Sequence, residues 1–130
     1  MQHAFIKLMP KSAKQSVTIE DVKELFTYYK QITSQTGKQV SWNYTESSFP
    51  YDILVTSDTT LHLKSSNDRY HSIYVGVGVE EEQAFIQITL PESATFGDKG
   101  KANEFCRFLA KKLEGELHLF NGRVMYFYKR

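Results

Sequence analysis

The stretch from Tyr70 to Leu90 constrains the fold most strongly, because its apolar residues alternate with small or polar ones. Ile73 and Val75 fall on one face of an extended chain, and Tyr74 falls on the other. A polar run at 80–83, three glutamates and a glutamine, interrupts the alternation, which then resumes until a proline. The sequence therefore predicts two antiparallel strands joined by a turn, with one apolar face that another layer covers.

Two segments with apolar residues at helical spacing supply that layer. Thr18 is predicted as the N-cap of the first helix, since its hydroxyl can accept a hydrogen bond from the amide of Asp21. Gly37 is predicted just after that helix, and Gly115 just after the second, where a positive φ costs glycine little. The apolar stripes are Val22, Leu25, Phe26, Tyr29 and Ile32 in the first helix, and Ala102, Phe105, Cys106, Leu109 and Leu113 in the second.

Short apolar or alternating segments complete the predicted sheet. The further strands are expected at 4–8, 40–44, 53–55, 61–64, 116–120 and 123–128. The resulting order, β-α-β-β-β-β-β-α-β-β, predicts the α+β class: a largely antiparallel sheet with two helices on one face. A chain of 130 residues is the size of one domain, so we expect a single α+β domain over residues 1–130.

The end of the chain carries the strongest turn signal. Asn121-Gly122 is typical of a two-residue type I′ turn, which needs a positive φ at both positions. The corresponding register pairs Leu119 with Val124 and places Phe120, Met125 and Phe127 on one mixed face. These three side chains are the predicted interaction surface if nothing covers them.

Two parts of the chain resemble each other. The segment Ala4–Ala13 is similar to Ala84–Ala94, each an apolar strand that runs into a proline turn and then a helix. A duplication with a pseudo-twofold relation would explain this similarity. Convergence on a common strand and turn pattern explains it equally simply, so both interpretations stay open.

The start of the second helix is a candidate anion site, formed by Gly97, Lys99, Gly100 and Lys101. A helix N-terminus offers unpaired amide donors, and the two lysines add positive charge. The Walker pattern is absent, and Asp98 would repel an anion or simply cap the helix. The alternative interpretation is a solvated helix start.

No catalytic residues, metal ligands or cofactor motifs are predicted. The histidines at 3, 62, 71 and 118 form neither HxH nor HExxH, and Cys106 lies on an apolar stripe, where a buried thiol is inert. The net charge is +1, and the basic face that nucleic-acid binding needs is not evident. No apolar run reaches the length of a membrane helix, and no signal peptide is visible, so we expect a cytoplasmic protein.

Two long segments resemble one small family. They are LPESATFGDKGKANEFCRFLAKKLEGELHLFNGRVMYF, from Leu90 to Phe127, and HAFIKLMPKSAKQSVTIEDVKELFTYYKQ, from His3 to Gln31. Both are similar to an uncharacterised family of single-domain proteins from spore-forming bacilli, known only as a domain of unknown function. The resemblance implies a bacterial single-domain intracellular protein and assigns no catalytic residue.

These observations leave three hypotheses for function. The first is a non-enzymatic binding domain that contacts a protein partner or a second copy of itself. The second is a ligand-binding or anion-binding protein, or an enzyme, that uses the helix start at 97–101. The third is nucleic-acid binding through the aromatic and basic end of the chain.

Overall fold

The computed structural model describes residues 1–40 and 49–128, which form seven strands and two helices. The elements are β1 (Gln2–Lys7), α1 (Ile19–Val40), β2 (Asp52–Ser57), β3 (Thr60–Lys64), β4 (Ser72–Glu80), β5 (Gln83–Leu90), α2 (Phe96–Leu113), β6 (Glu116–His118) and β7 (Val124–Tyr126). The predicted α+β class is confirmed. No helix within the described ranges is long and apolar enough to cross a membrane.

All strands belong to one antiparallel sheet with the order β2-β3-β4-β5-β1-β6-β7. The helices cover one face of it: α2 packs over the central strands, and α1 packs over β3. We call the covered side the helix face and the opposite side the outer face. This arrangement follows from alternation, because every second residue of the central strands is buried.

The hydrophobic core lies between the sheet and the helices. Phe26 of α1 and Phe105 of α2 are fully buried, and their rings meet edge to face with centroids 5.3 Å apart. The buried strand residues on the helix face are Ala4, Ile6, Leu61, Leu63, Ile73, Val75, Ala84, Ile86, Ile88, Leu90 and Leu117. Aliphatic strand residues thus pack beneath an aromatic layer that the helices supply.

The two similar segments meet at the centre of the sheet. Ile6 lies directly opposite Ile86 in the pairing of β1 with β5, and the similarity relates these same two residues. On either side, β6 pairs with β1 and β4 pairs with β5, so each first strand binds a strand that follows the other helix. A twofold axis through the isoleucine pair would relate β1 to β5, but β6 follows α2 directly, whereas β4 is the third described strand after α1. The duplication remains a prediction.

Helix α1 begins as expected and ends later than expected. The Thr18 hydroxyl accepts the Asp21 amide at 3.1 Å, and the Asp21 carboxylate accepts the Thr18 amide at 3.0 Å. These bonds lower the pKa of Asp21, the backbone bond contributing most. The helix continues to Val40, so Gly37 lies inside it, and the strand predicted from Val40 is wrong at its first residue. The rest of that strand, 41–44, lies outside the described residues.

The end of α2 uses a different residue from the one predicted. Glu114, not Gly115, takes the left-handed conformation, with φ 53° and ψ 47°. Gly115 is required for another reason, because a Cβ there would lie 2.9 Å from the Ile6 side chain and 3.0 Å from the Lys7 carbonyl oxygen. Close packing of the chain on β1 therefore explains this glycine.

The C-terminal hairpin has a register one residue away from the prediction. Leu117 pairs with Met125, and His118 pairs with Val124. The Leu119 amide donates to the Arg123 carbonyl at 2.8 Å, which leaves a three-residue loop closed by Gly122 at φ 85°. The predicted two-residue type I′ turn is wrong, because Asn121 lacks the positive φ that such a turn needs. A slip of one residue exchanges the faces of β7.

Gly122 still provides a test of this turn. We expect Gly122→Val to lower the free energy of unfolding by ~1 kcal/mol or more, because a β-branched residue resists a positive φ. A Cβ at this position would contact nothing within 4 Å, so the loss would come from the backbone alone. Chemical denaturation of the variant measures it, and an unchanged midpoint would contradict the assigned turn.

Candidate functional site

The residues of the predicted anion site lie together at the start of α2 but make other contacts. A Cβ on Gly97 would lie 2.5 Å from the Arg69 carbonyl oxygen, so this glycine lets the loop before β4 pack on the helix. The Lys99 ammonium lies 5.5 Å from the centre of the exposed Phe96 ring. The Lys101 ammonium pairs with Glu104 at 3.0 Å, and Gly100 faces open space.

The negative charge at this helix start comes from Asp98, which is completely buried. Its carboxylate accepts the Tyr51 hydroxyl at 2.5 Å, the His71 amide at 3.0 Å and the Ser72 amide at 3.3 Å. It also accepts the Thr95 amide at 3.0 Å, while the Thr95 hydroxyl accepts the Asp98 amide at the same distance. A buried carboxylate, held by Tyr51, the start of β4 and Thr95, therefore already occupies this helix start, and this geometry does not favour a second anion, although the anion site stays a prediction.

The Tyr51 hydroxyl and the Cys106 thiol are both buried, and both have raised pKa values. Burial and the neighbouring Asp98 raise the pKa of Tyr51 far above its usual range. Burial likewise raises the pKa of the Cys106 thiol to about 12, against a small opposing effect of Arg107. Thiol chemistry at neutral pH needs the thiolate, so Cys106 acts as a small apolar core residue, as the sequence indicates.

The predicted interaction surface is less open than its sequence suggests. Phe120, Met125 and Phe127 are all half-buried and pack against the core. The shifted register places Met125 opposite the fully buried Leu117, on the helix face. The exposed aromatic of this hairpin is Tyr126, and a role of the three predicted residues in binding stays a prediction.

The outer face of the sheet is a surface that no helix from residues 1–40 and 49–128 covers. Across its centre the side chains form two rows, running from β5 through β1 to β6. The first row is Phe85, Lys7 and Glu116, and the second is Gln87, Phe5 and His118. The Phe85 ring lies so close over Gly78 that a Cβ there would be 2.7 Å from it. The face therefore presents aromatic rings between polar side chains.

A hollow of about 350 Å³ opens in this face at the turn between β4 and β5. Its lining residues are Phe5, Lys7, Glu80, Glu81, Gln83, Phe85 and His118. The Phe5 and Phe85 rings meet edge to face, with centroids 6.1 Å apart. No motif in the sequence points to this site, although the alternation of β1 and β5 places Phe5, Lys7 and Phe85 on the face opposite the core.

One wall of the hollow carries basic groups. His118 Nε2 lies 2.7 Å from a Glu116 carboxylate oxygen, and the other oxygen of Glu116 accepts the Tyr128 hydroxyl at 3.2 Å. This chain of bonds orients the imidazole and leaves Nδ1 as its remaining polar atom. Lys7 is half-buried and has no ion pair with any residue that the structure describes. No cluster of three metal-ligating side chains occurs in the described chain.

A second open feature is the edge strand β2. Its partner on one side is β3, and no strand of the described chain pairs with its other side. Leu54 is 43% exposed on the outer face, and Val55 is 49% exposed on the helix face. The segment 53–57 contains neither charge nor proline, the usual protections of an edge strand.

The comparisons with known proteins agree with this fold. The profile of a family described as a domain of unknown function (DUF1885) matches residues 2–129. A crystal structure of a protein of unknown function from Bacillus stearothermophilus is similar to this chain, with a TM-score of 0.65 and 45% sequence identity. The similarity covers 88% of this chain and 92% of that one. None of the curated proteins matches the sequence.

Proposed function

The chain belongs to the DUF1885 family, and we propose that it is a non-enzymatic binding domain that associates with a second copy of itself. We place it in the cytoplasm, since a buried free thiol at Cys106 suits a reducing compartment. The observation that carries the proposal is the edge of β2, with Leu54 and Val55 exposed and no strand from residues 1–40 or 49–128 paired to its outer side. An unprotected apolar edge offers main-chain donors and acceptors to another strand.

A second copy is the partner that this edge fits by symmetry. Two identical strands paired antiparallel around Leu54 bring Ile53 of each copy opposite Val55 of the other, and Asp52 opposite Thr56. This register keeps both outer faces on the same side and places no like charges together. A six-residue edge buries less area than the roughly 1,200 Å² of a stable interface, so the dimer should be weak and dependent on concentration.

Light scattering over a concentration series tests the association. We expect the mean mass to rise toward that of a dimer, and Leu54→Lys to keep the chain monomeric because it places two like charges opposite each other at the twofold axis. Val79→Lys is the matched control, since Val79 is a 71% exposed strand aliphatic away from β2. A wild-type protein that stays monomeric at millimolar concentration would refute the proposal.

Cysteine cross-linking tests the register. Residues opposite each other in an antiparallel pair have Cα atoms about 4.5–5.5 Å apart, which suits a disulfide. We therefore expect Leu54→Cys to give a covalent dimer on mild oxidation and Val79→Cys to give none. The native Cys106 does not interfere because it is buried. Equal cross-linking of the two variants would contradict pairing through β2.

A further inference from the structure

We propose that the hollow in the outer face binds a short peptide with free termini, a di- or tripeptide with an apolar or aromatic side chain. The proposal is independent of pairing through β2, because the hollow lies over the central strands. Its volume of about 350 Å³ is in the range of small-molecule sites. The rings of Phe5 and Phe85 provide an apolar floor, and charged groups stand on both sides of it.

The basic side fits a carboxylate. Lys7 lacks an ion pair with the described residues, although it is half-buried, where an ammonium gains from a counter-ion. His118 is held by Glu116 through Nε2, and because a carboxylate only accepts, Nε2 carries the proton and Nδ1 of the neutral ring is an acceptor. A carboxylate beside Lys7 would accept charge-assisted hydrogen bonds from its ammonium group.

The acidic side fits an ammonium group. Glu80 and Glu81 line the hollow from the tight turn between β4 and β5. Glu81 and Glu82 hold φ angles of 51° and 66°, in positions where Asn and Gly are the favoured residues. A ligand with only a negative charge would be repelled by this side, and one with only a positive charge would be repelled by Lys7.

The spacing of the two sides sets the length of the ligand. The acidic turn begins at the end of β4, and Lys7 is on β1, with β5 between them. Lys7 lies opposite Phe85, and Phe85 lies opposite Gly78. Glu80 is therefore two strand spacings across and two residues along, about 12 Å from Lys7 between Cα atoms. The terminal charges of an extended di- or tripeptide are about 7–10 Å apart, whereas those of a free amino acid are too close to reach both sides. The zwitterion of a short peptide is thus the ligand that satisfies both charged walls.

Titration of the tripeptide Ala-Ala-Phe into the labelled protein, followed by NMR, tests the proposal. We expect saturable chemical-shift changes of residues around the hollow. The N-acetylated and the C-amidated peptides should each bind at least about tenfold more weakly than the free peptide, because each loses one charged contact. No saturable shift at millimolar peptide would overturn the proposal. So would capped peptides that bind as tightly as the free one.

Substitution of Lys7 tests whether its ammonium group contacts the carboxylate of the peptide. We expect Lys7→Gln to weaken binding of the free peptide about tenfold while changing its affinity for the C-amide little. Lys64→Gln is the matched control, since Lys64 is an exposed lysine on the outer face of β3, outside the hollow. Equal effects of the two variants would show that only general charge matters and overturn the assigned site. If Lys7→Gln does not fold, the capped peptides on the wild-type protein decide.

Discussion

Replacing Asp98 with alanine is expected to lower the free energy of unfolding by roughly 3–5 kcal/mol, the largest effect foreseen for this chain. The carboxylate is fully buried and accepts hydrogen bonds from the Tyr51 hydroxyl and the His71 and Ser72 amides. It also closes the capping box of α2 with Thr95. The substitution would leave several buried hydrogen-bond donors without an acceptor. Each buried donor that lacks a partner lowers the free energy of unfolding.

Urea denaturation measures this loss, and two further variants locate its origin. Asp68→Ala changes an exposed aspartate in a neighbouring loop and should alter stability by less than about 0.5 kcal/mol. Tyr51→Phe removes a single donor and should cost ~1–2 kcal/mol, less than the loss of its acceptor. If Asp98→Ala and Asp68→Ala proved equally stable, the buried carboxylate would not organise this part of the fold.

Gly97→Ala and Gly100→Ala are expected to change stability in opposite directions, although both lie in the first turns of α2. The added Cβ at Gly97 would lie 2.5 Å from the Arg69 carbonyl and 2.8 Å from the Tyr70 ring. Such overpacking costs roughly 1–3 kcal/mol. At Gly100 the Cβ meets nothing within 4 Å, so the helix preference of alanine should stabilise the protein by about 0.5–1 kcal/mol.

Thermal unfolding of the two variants checks this prediction, each serving as the control of the other. The comparison also separates two interpretations of the glycines, which the sequence alone treats alike. If Gly97 is required for packing, Gly97→Ala should lower the unfolding temperature and Gly100→Ala should raise it. Equal losses at Gly97 and Gly100 would instead point to a shared need for backbone freedom, as an anion-binding loop has.

Local patterns predicted much of the secondary structure. The Thr18 cap was predictable because a capping box depends on residues three apart in the chain. The outward position of His62 and His118 followed from their leucine neighbours, since strand residues alternate between faces. Local patterns failed at Gly37, which was predicted to lie just after α1. The helix instead continues through this glycine to Val40.

The C-terminal hairpin shows why a strong local signal can still mislead. Asn121-Gly122 predicted a turn, and a turn with a positive φ at Gly122 is present. In the observed register Met125 lies opposite the buried Leu117 and packs against the core, and the loop takes three residues rather than two. That single shift moved Met125 toward the core and Tyr126 toward solvent.

By itself the sequence determined the α+β class, the helix start at Thr18 and the faces of the central strands, because each depends on neighbours within a few positions. The tertiary structure alone decided the sheet order, the burial of Asp98 under Tyr51 and the hollow that joins Lys7 to Glu81. These features bring together residues far apart in the chain. Their contacts follow from which strands pair, and strand pairing depends on the packing of the whole domain, which no local pattern encodes.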